Sequence, residues 1–270
     1  MLQLAWPQHA LPGFEPIWCA RRWVGPAYVH WDILTNDCPA IPKGAVILHL
    51  AGVLRGYPCA LDDNTAMALK VCDAAKAAGA RHVFLASTAA VYGRSLDDWT
   101  EGQSPSPISD YGRAKLDMER RVQEWSQNAD AAAPGITCLR IGNIVGADKL
   151  IGQSLQSGPI QLDPVVGHDG GPMRSYIGPR VLAFVLASLI GKAGRGEHLP
   201  NILNVASRKP VFMADLLIAA KLSFNFNSYD KQVIEKVVLC TGRLAKLVQV
   251  NASSPSEMIA DWRGLMASAS

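Results

Sequence analysis

Residues 45–93 read AVILHLAGVLRGYPCALDDNTAMALKVCDAAKAAGARHVFLASTAAVYG, and this stretch decides the fold. Ala45–Leu50 is a short, β-branched apolar run that opens onto the small residues Ala51 and Gly52. Asn64–Ala78 carries alanine and aliphatic residues at helical spacing and stops at Gly79, a residue type that ends helices at low conformational cost. Val83–Ala86 is a second apolar run, and it leads into two hydroxyl residues, Ser87 and Thr88. Strand, helix and strand in this order predict two parallel strands joined by a crossover helix.

The same alternation extends in both directions. Upstream, Ile17–Ala20 and Ala27–Trp31 read as strands; downstream, Tyr111–Gln127 reads as a helix and Ile136–Ile141 as a strand. The expected fold is therefore α/β, a Rossmann-like doubly wound parallel sheet with helices on both faces. After Gly146 the texture changes, and residues 147–179 are rich in Gly, Pro and Asp, which predicts irregular structure near a substrate site. A helix over Arg180–Gly191, a strand over Ile202–Val205, a helix over Ala214–Lys221 and an amphipathic helix over Ser256–Met266 follow. We read a dinucleotide-binding domain over 1–146. A small mixed substrate-binding region covers 147–270, of which 180–207 returns to the Rossmann core.

Composition narrows the function. The chain has 270 residues, 49% hydrophobic and 18% charged, enough to bury one full α/β core. A net charge of +3 with scattered Lys and Arg excludes the clustered basic face of a nucleic-acid binder. The longest apolar stretch, Val181–Ile190, is half the length of a bilayer span, so no membrane partner is expected. The N-terminus lacks the pattern of a secretory signal, which makes the cytoplasm the default. Cysteines 19, 38, 59, 72, 138 and 240 show no metal-ligand spacing; no metal is expected, and they read as reduced, mostly buried thiols.

Tyr111 and Lys115 form Y-x-x-x-K. On a helix, positions i and i+4 share a face, so the lysine can hold positive charge near the phenol oxygen. Bringing a phenol pKa from about 10 to about 7 takes roughly 4 kcal/mol. One nearby cation supplies a shift of about one to three units. An oxidised nicotinamide ring could supply more, so activation of Tyr111 is expected to depend on bound cofactor. Alone the pattern also describes a solvated helix face. Thr88, at the end of a strand where parallel sheets bind ligands, strengthens the catalytic reading; as a hydroxyl at a strand end it also suits a simple cap.

Taken in order, HLAG at 49–52, Asn64 opening the next helix, STAAVYG at 87–93, YGRAK at 111–115, LRIGNIVG at 139–146, RSYIG at 174–178 and NVAS at 204–207 resemble the NAD-dependent epimerase/dehydratase family of extended short-chain dehydrogenases. The resemblance implies an NAD(P)-dependent oxidoreductase or epimerase that moves hydride to or from a secondary alcohol or ketone of a nucleotide sugar or similar polar metabolite. By it, Tyr111 is the general base or acid, Lys115 orients the cofactor ribose and lowers the tyrosine pKa, and Thr88 binds the substrate oxygen, with Ser87 as the fallback. Ala89 and Ala90 stand where sugar-nucleotide 4,6-dehydratases carry Asp and Glu, which disfavours that subclass. Asp32 and Ile33 would face the adenine. Leu50, Ala51, Gly52, Asn64, Ile141 and Asn143 would line the cofactor, with Asn143 also near the substrate. Arg174 would approach substrate phosphates, or is a surface arginine. A homodimer is the family's common assembly.

Arg21 and Arg22 follow the strand at 17–20, where NAD-specific members usually carry an acidic residue. Arginine suits a ribose 2′-phosphate, so NADP is favoured over NAD, although two solvent-facing arginines at a strand end would look the same. The chain departs from the family at its start. No G-x-x-G-x-x-G turn occurs, Gly13 is the first glycine, and residues 1, 2, 5 and 6 are apolar at helical spacing. We therefore expect the first, central strand and the pyrophosphate-binding turn to lie upstream of Met1, in a longer chain. Two alternatives stay open: a non-catalytic, cofactor-sensing member of the fold, and an inactive fragment.

Overall fold

The computed structural model describes residues 1–9, 11–22, 24–35, 38–54, 58–152, 159–230 and 232–268. Helix α1 (Leu2–Ala5) and a 3₁₀ turn (Trp6–His9) come first, followed by β1 (Trp18–Ala20) and β2 (Tyr28–His30), which pair in parallel. β3 (Val46–His49), α2 (Pro58–Ala77), β4 (His82–Thr88), α3 (Asp110–Asn128) and β5 (Gly135–Ile141) then build the parallel unit expected from residues 45–93. Beyond them lie β6 (Asn143–Ile144), β7 (Ile160–Leu162), β8 (Met173–Arg174), β9 (Tyr176–Ile177), α4 (Pro179–Gly194) and β10 (Ile202–Val205). The chain closes with β11 (Val211–Phe212), α5 (Met213–Ala220), β12 (Phe224–Phe226), β13 (Lys236–Val237), α6 (Gly242–Leu247) and α7 (Pro255–Ala267).

The central sheet runs β10-β5-β4-β3, all parallel. Its strands are buried on both faces, because successive side chains point to opposite sides. Val83 and Leu85 of β4 pack with Ile136 and Cys138 against Val71 and Cys72 of α2 and Met118 and Val122 of α3. Phe84 of β4, with Leu139, Ile141, Leu203 and Val205, packs on the other face against Leu182, Val185, Leu186 and Leu189 of α4. Each such fully buried side chain stabilises the fold by about 1.5–3 kcal/mol. β1 and β2 form a separate two-stranded sheet; among the described residues no strand pairs with the free edge of β1 or of β3. The α/β Rossmann-like class stands, with its strands divided between these two sheets.

Several expectations change. α2 starts at Pro58, so Asn64 lies in the second turn of the helix and does not open it. Cys19 and Cys38 are exposed, not buried. Cys19 is the middle residue of β1, and alternation turns it away from Trp18 and Ala20, which are half-buried. Cys72 and Cys138 are buried as expected, Cys240 is half-buried, and the side chain of Cys59 lies outside the described residues. The region 147–179 contains β7, β8 and β9, two or three residues each, too short to leave a period-two signal in the sequence; residues 153–158 lie outside the description. Together with α5 and α7 they cover a second apolar cluster around Ile151, Tyr176, Leu216 and Ile259. No described helix is long and apolar enough to cross a membrane.

Candidate active site

The carboxyl ends of β3, β4 and β5 and the first turns of α3 converge on one site. α3 begins because Ser109 caps it, its hydroxyl oxygen accepting from the Gly112 N–H at 3.1 Å. Gly112 is required by close approach: a Cβ there would lie 2.3 Å from the Ala90 carbonyl oxygen. This contact lays the first turn of α3 on the 3₁₀ turn Ala89–Val91 that follows β4, and so brings Tyr111 and Thr88 to the same cavity. Tyr111, Thr88, Ser87, Leu50 and Ile141 line one cavity of about 280 Å³, whose far side is closed by Met1, Leu2 and α4. A smaller cavity of about 120 Å³ lies at Arg208, Thr241 and Gln249, away from every one of these residues.

Lys115 sits one turn beyond Tyr111 and is buried; its ammonium donates to the Ala86 carbonyl at 3.0 Å. Burial pushes its pKa down to about 8, against the opposing pull of Cys138 and Glu119. Burial also raises the Tyr111 phenol above its ordinary value. The phenol is therefore protonated at neutral pH in the protein alone, and activating it needs further positive charge. The Thr88 Oγ1 accepts from the Ala90 N–H at 3.2 Å, so the residue does cap the turn, and its own hydroxyl proton remains free to be donated into the cavity. Ser87 is buried and gives its proton to Glu119. His49, at the end of β3, is buried and its pKa is pushed down to about 4 by burial and by Lys115, leaving it neutral.

The remaining candidate residues fall in four places. Asn64 pins the loop after β3: its Oδ1 accepts from Val53 N–H at 3.0 Å and its Nδ2 donates to the Val53 carbonyl at 3.1 Å. A Cβ on Gly52 would meet Asn64 Oδ1 at 3.0 Å and Lys115 Nζ at 3.1 Å, so the loop at Gly52 runs close past the Lys115 side chain of α3. Asn143 lies on β6, where its side chain hydrogen-bonds the Tyr176 oxygen, and Tyr176 donates to Asp148 at 3.0 Å. Asp32 accepts from Leu34 N–H at 3.3 Å and Ile33 packs against the α2 cluster, while Arg21 and Arg22 are exposed just past β1. None of these lines the 280 Å³ cavity. Arg174 lies outside it too, its guanidinium donating to the carbonyls of Met173, Ile234 and Glu235 at 2.8, 2.6 and 3.2 Å.

Sequence reasoning missed Glu119 and Arg140, a buried ion pair behind the site. A signal for Glu119 existed, since it stands four residues after Lys115 on the same helix face; Arg140 reads as an interior residue of an apolar strand. Met1 and Leu2 were also missed as cavity wall, because their place depends on how α1 packs against α4 through Ala5 and Ala183.

A nicotinamide and its ribose fit these residues: a phenol and two hydroxyls line a cavity with apolar walls, an ammonium is buried behind them, and the loop at Gly52 runs close to that ammonium. No glycine-rich turn of the kind that cradles a pyrophosphate occurs in the 270 residues.

A UDP-glucose 4-epimerase of Corynebacterium glutamicum is 30% identical over 164 residues, 54% of this chain and 48% of that protein. The chain thus spans about half the length of the curated relative it matches. The structure of MoeE5 in complex with UDP-glucuronic acid and NAD superposes with a TM-score of 0.73 at 18% identity, covering 93% of this chain and 90% of that one. The UDP-glucuronic acid 4-epimerase of Bacillus cereus, with UDP-glucuronic acid and NAD, gives a TM-score of 0.68 at 18% identity over 90% and 83% of the two chains. At such identities these structures establish the fold. The pattern of the NAD dependent epimerase/dehydratase family matches residues 41–197, more than half of the chain and the whole of the β3–α4 segment, and the chain belongs to that family.

Proposed function

We propose that this chain is an NAD(P)-dependent oxidoreductase or epimerase acting on a secondary alcohol or ketone of a nucleotide sugar. The observation that carries the reading is the meeting of Thr88 and Tyr111 at one cavity with the Lys115 ammonium buried behind them. The names of its relatives, a UDP-glucose 4-epimerase and proteins bound to UDP-glucuronic acid and NAD, support the substrate class. A bound nicotinamide would accept a hydride from the sugar carbon and return it, and would add positive charge near the phenol. Tyr111 then takes the proton of the substrate hydroxyl as it becomes a carbonyl, and gives it back on reduction. Thr88 donates a hydrogen bond to the same substrate oxygen, and Lys115 favours the phenolate by its charge. Ala89 and Ala90 offer no carboxyl, so the reading is of epimerisation or simple oxidoreduction without dehydration.

Cofactor choice is part of the proposal. Arg21 and Arg22 are exposed at the carboxyl end of β1, which suits a 2′-phosphate and favours NADP. The test is a fluorescence titration with NADPH and NADH, followed by incubation of the protein and oxidised cofactor with UDP-glucose and UDP-glucuronic acid. Tyr111→Phe should abolish turnover and leave cofactor affinity within about twofold, since the ring stays and only the hydroxyl goes. Turnover by Tyr111→Phe at the wild-type rate would overturn the catalytic assignment; cofactor binding without any turnover by the wild type would favour a sensor.

A further inference from the structure

Behind the Thr88–Tyr111–Lys115 group lies a buried carboxylate that takes no part in the chemistry described above. Glu119 is 5% exposed and Arg140 2% exposed. The Arg140 guanidinium grips the carboxylate through Nε at 3.0 and 3.2 Å and Nη2 at 2.6 Å, and its flat face lies 4.7 Å from the centre of the Tyr92 ring. Tyr92 donates to Asn204 at 2.7 Å, and Asn204 donates in turn to the carbonyls of Trp99 and Cys240. On its other side Glu119 accepts from the Ser87 hydroxyl at 2.5 Å. Ser87 and Arg140 are register partners on β4 and β5, so one carboxylate ties both strand ends to α3.

Three contacts thus fix α3 against the end of β4. Gly112 abuts Ala90, the Lys115 ammonium bonds the Ala86 carbonyl, and Glu119 bonds Ser87. Thr88 stands between the second and third contacts, at Ala86 and Ser87, and the first, at Ala90. We propose that Glu119, clamped by Arg140, is a positioning residue that holds α3 and β4 in the register bringing Tyr111 and Lys115 to Thr88, and that its charge is the counterion of Lys115. The assignment of a working role to Lys115 rests on the proposed function; the placement of Glu119 does not.

The electrostatics point the same way. Lys115 lies one turn after Tyr111 and is faced by Glu119 on its own helix, by His49 at the end of β3, by Cys138 on β5, and by the uncharged Asn64 from α2. His49 is neutral, and burial keeps the Tyr111 phenol and the Cys138 thiol protonated. Glu119 is the anion of this set, and it opposes the burial that discharges Lys115.

The test follows the titration of Lys115 by NMR in protein labelled with ¹³C at the lysine ε carbons, the signal being assigned with Lys115→Arg. Glu119→Gln should lower the midpoint by about one pH unit, the size of shift that one neighbouring charge gives. The loss of NADH affinity at alkaline pH should move by the same amount. Because Glu119→Gln strands the Arg140 charge and can fail to fold, Glu119→Gln/Arg140→Met is made beside it; removing both charges keeps the packing, and the midpoint should still fall, by less. An unchanged midpoint in whichever of these variants folds overturns the proposal. If the wild type binds no NADH, the proposed function fails, and the Lys115 midpoint alone decides the role of Glu119.

Discussion

Lys115→Met should make the protein more stable at neutral pH while destroying the proposed activity. In the folded protein burial lowers the lysine from 10.5 to about 8, and the side chain is only 3% exposed. At about 1.4 kcal/mol per unit, keeping the ammonium charged costs the folded state roughly 3 kcal/mol. Methionine has nearly the same length and no charge, so it relieves that cost. It also leaves the Ala86 carbonyl without its donor, a loss of about 1–2 kcal/mol. The net expectation is a gain of about 1–2 kcal/mol at pH 7, or roughly 2–8 °C in Tm for a chain of this size. The pH dependence carries the sign. Because the folded pKa lies below the unfolded one, the penalty is complete below about pH 8 and disappears as pH rises toward 10.5. Wild-type stability should therefore climb by about 1.4 kcal/mol per unit in that window, while the variant stays flat in this respect. The two should be equal at about pH 9, where the recovered cost matches the variant's advantage. Urea unfolding of both proteins at pH 7, 8, 9 and 10 measures this. A variant less stable than wild type by the same amount at every pH would refute the reasoning, since Lys115 would then be contributing packing and hydrogen bonding with no cost for its charge.

Two further outcomes are expected. Gly112→Ala should lower Tm, because its Cβ would stand 2.3 Å from the Ala90 oxygen; overpacking of about 1–3 kcal/mol outweighs the better helix propensity of about 1 kcal/mol. A thermal melt at or above wild type would show that α3 can shift freely against the turn after β4. His49 and His82 are both lowered from 6.5 to about 4, chiefly by burial, so their stabilising neutrality is intact above pH 6.5 and lost as pH falls toward 4. Each contributes roughly 3 kcal/mol over that window, and a urea midpoint that does not move between pH 7 and 5 would contradict the burial of both rings.

The parallel α/β class was legible in the sequence, and so were the residues proposed for catalysis. Both rest on local periodicities: apolar runs followed by helices of period 3.6, a tyrosine and a lysine four apart on a helix, and hydroxyls at the end of the run 83–86. Such patterns survive without knowledge of what packs against them. What sequence could not decide depended on contacts between distant segments. That Cys19 is exposed follows from β1 and β2 forming a sheet of their own among the described residues, apart from the central one. That Arg174 gives its guanidinium to the carbonyls of Met173, Ile234 and Glu235 follows from β13 lying beside β8, some sixty residues on in the chain. That Arg140 is an ion-pair partner and not a misplaced charge in an apolar strand follows from α3 crossing β5, which delivers a carboxylate to the one place where the strand can neutralise it. A buried charge is tolerated only where a partner meets it, and the partner's address is a property of the tertiary structure.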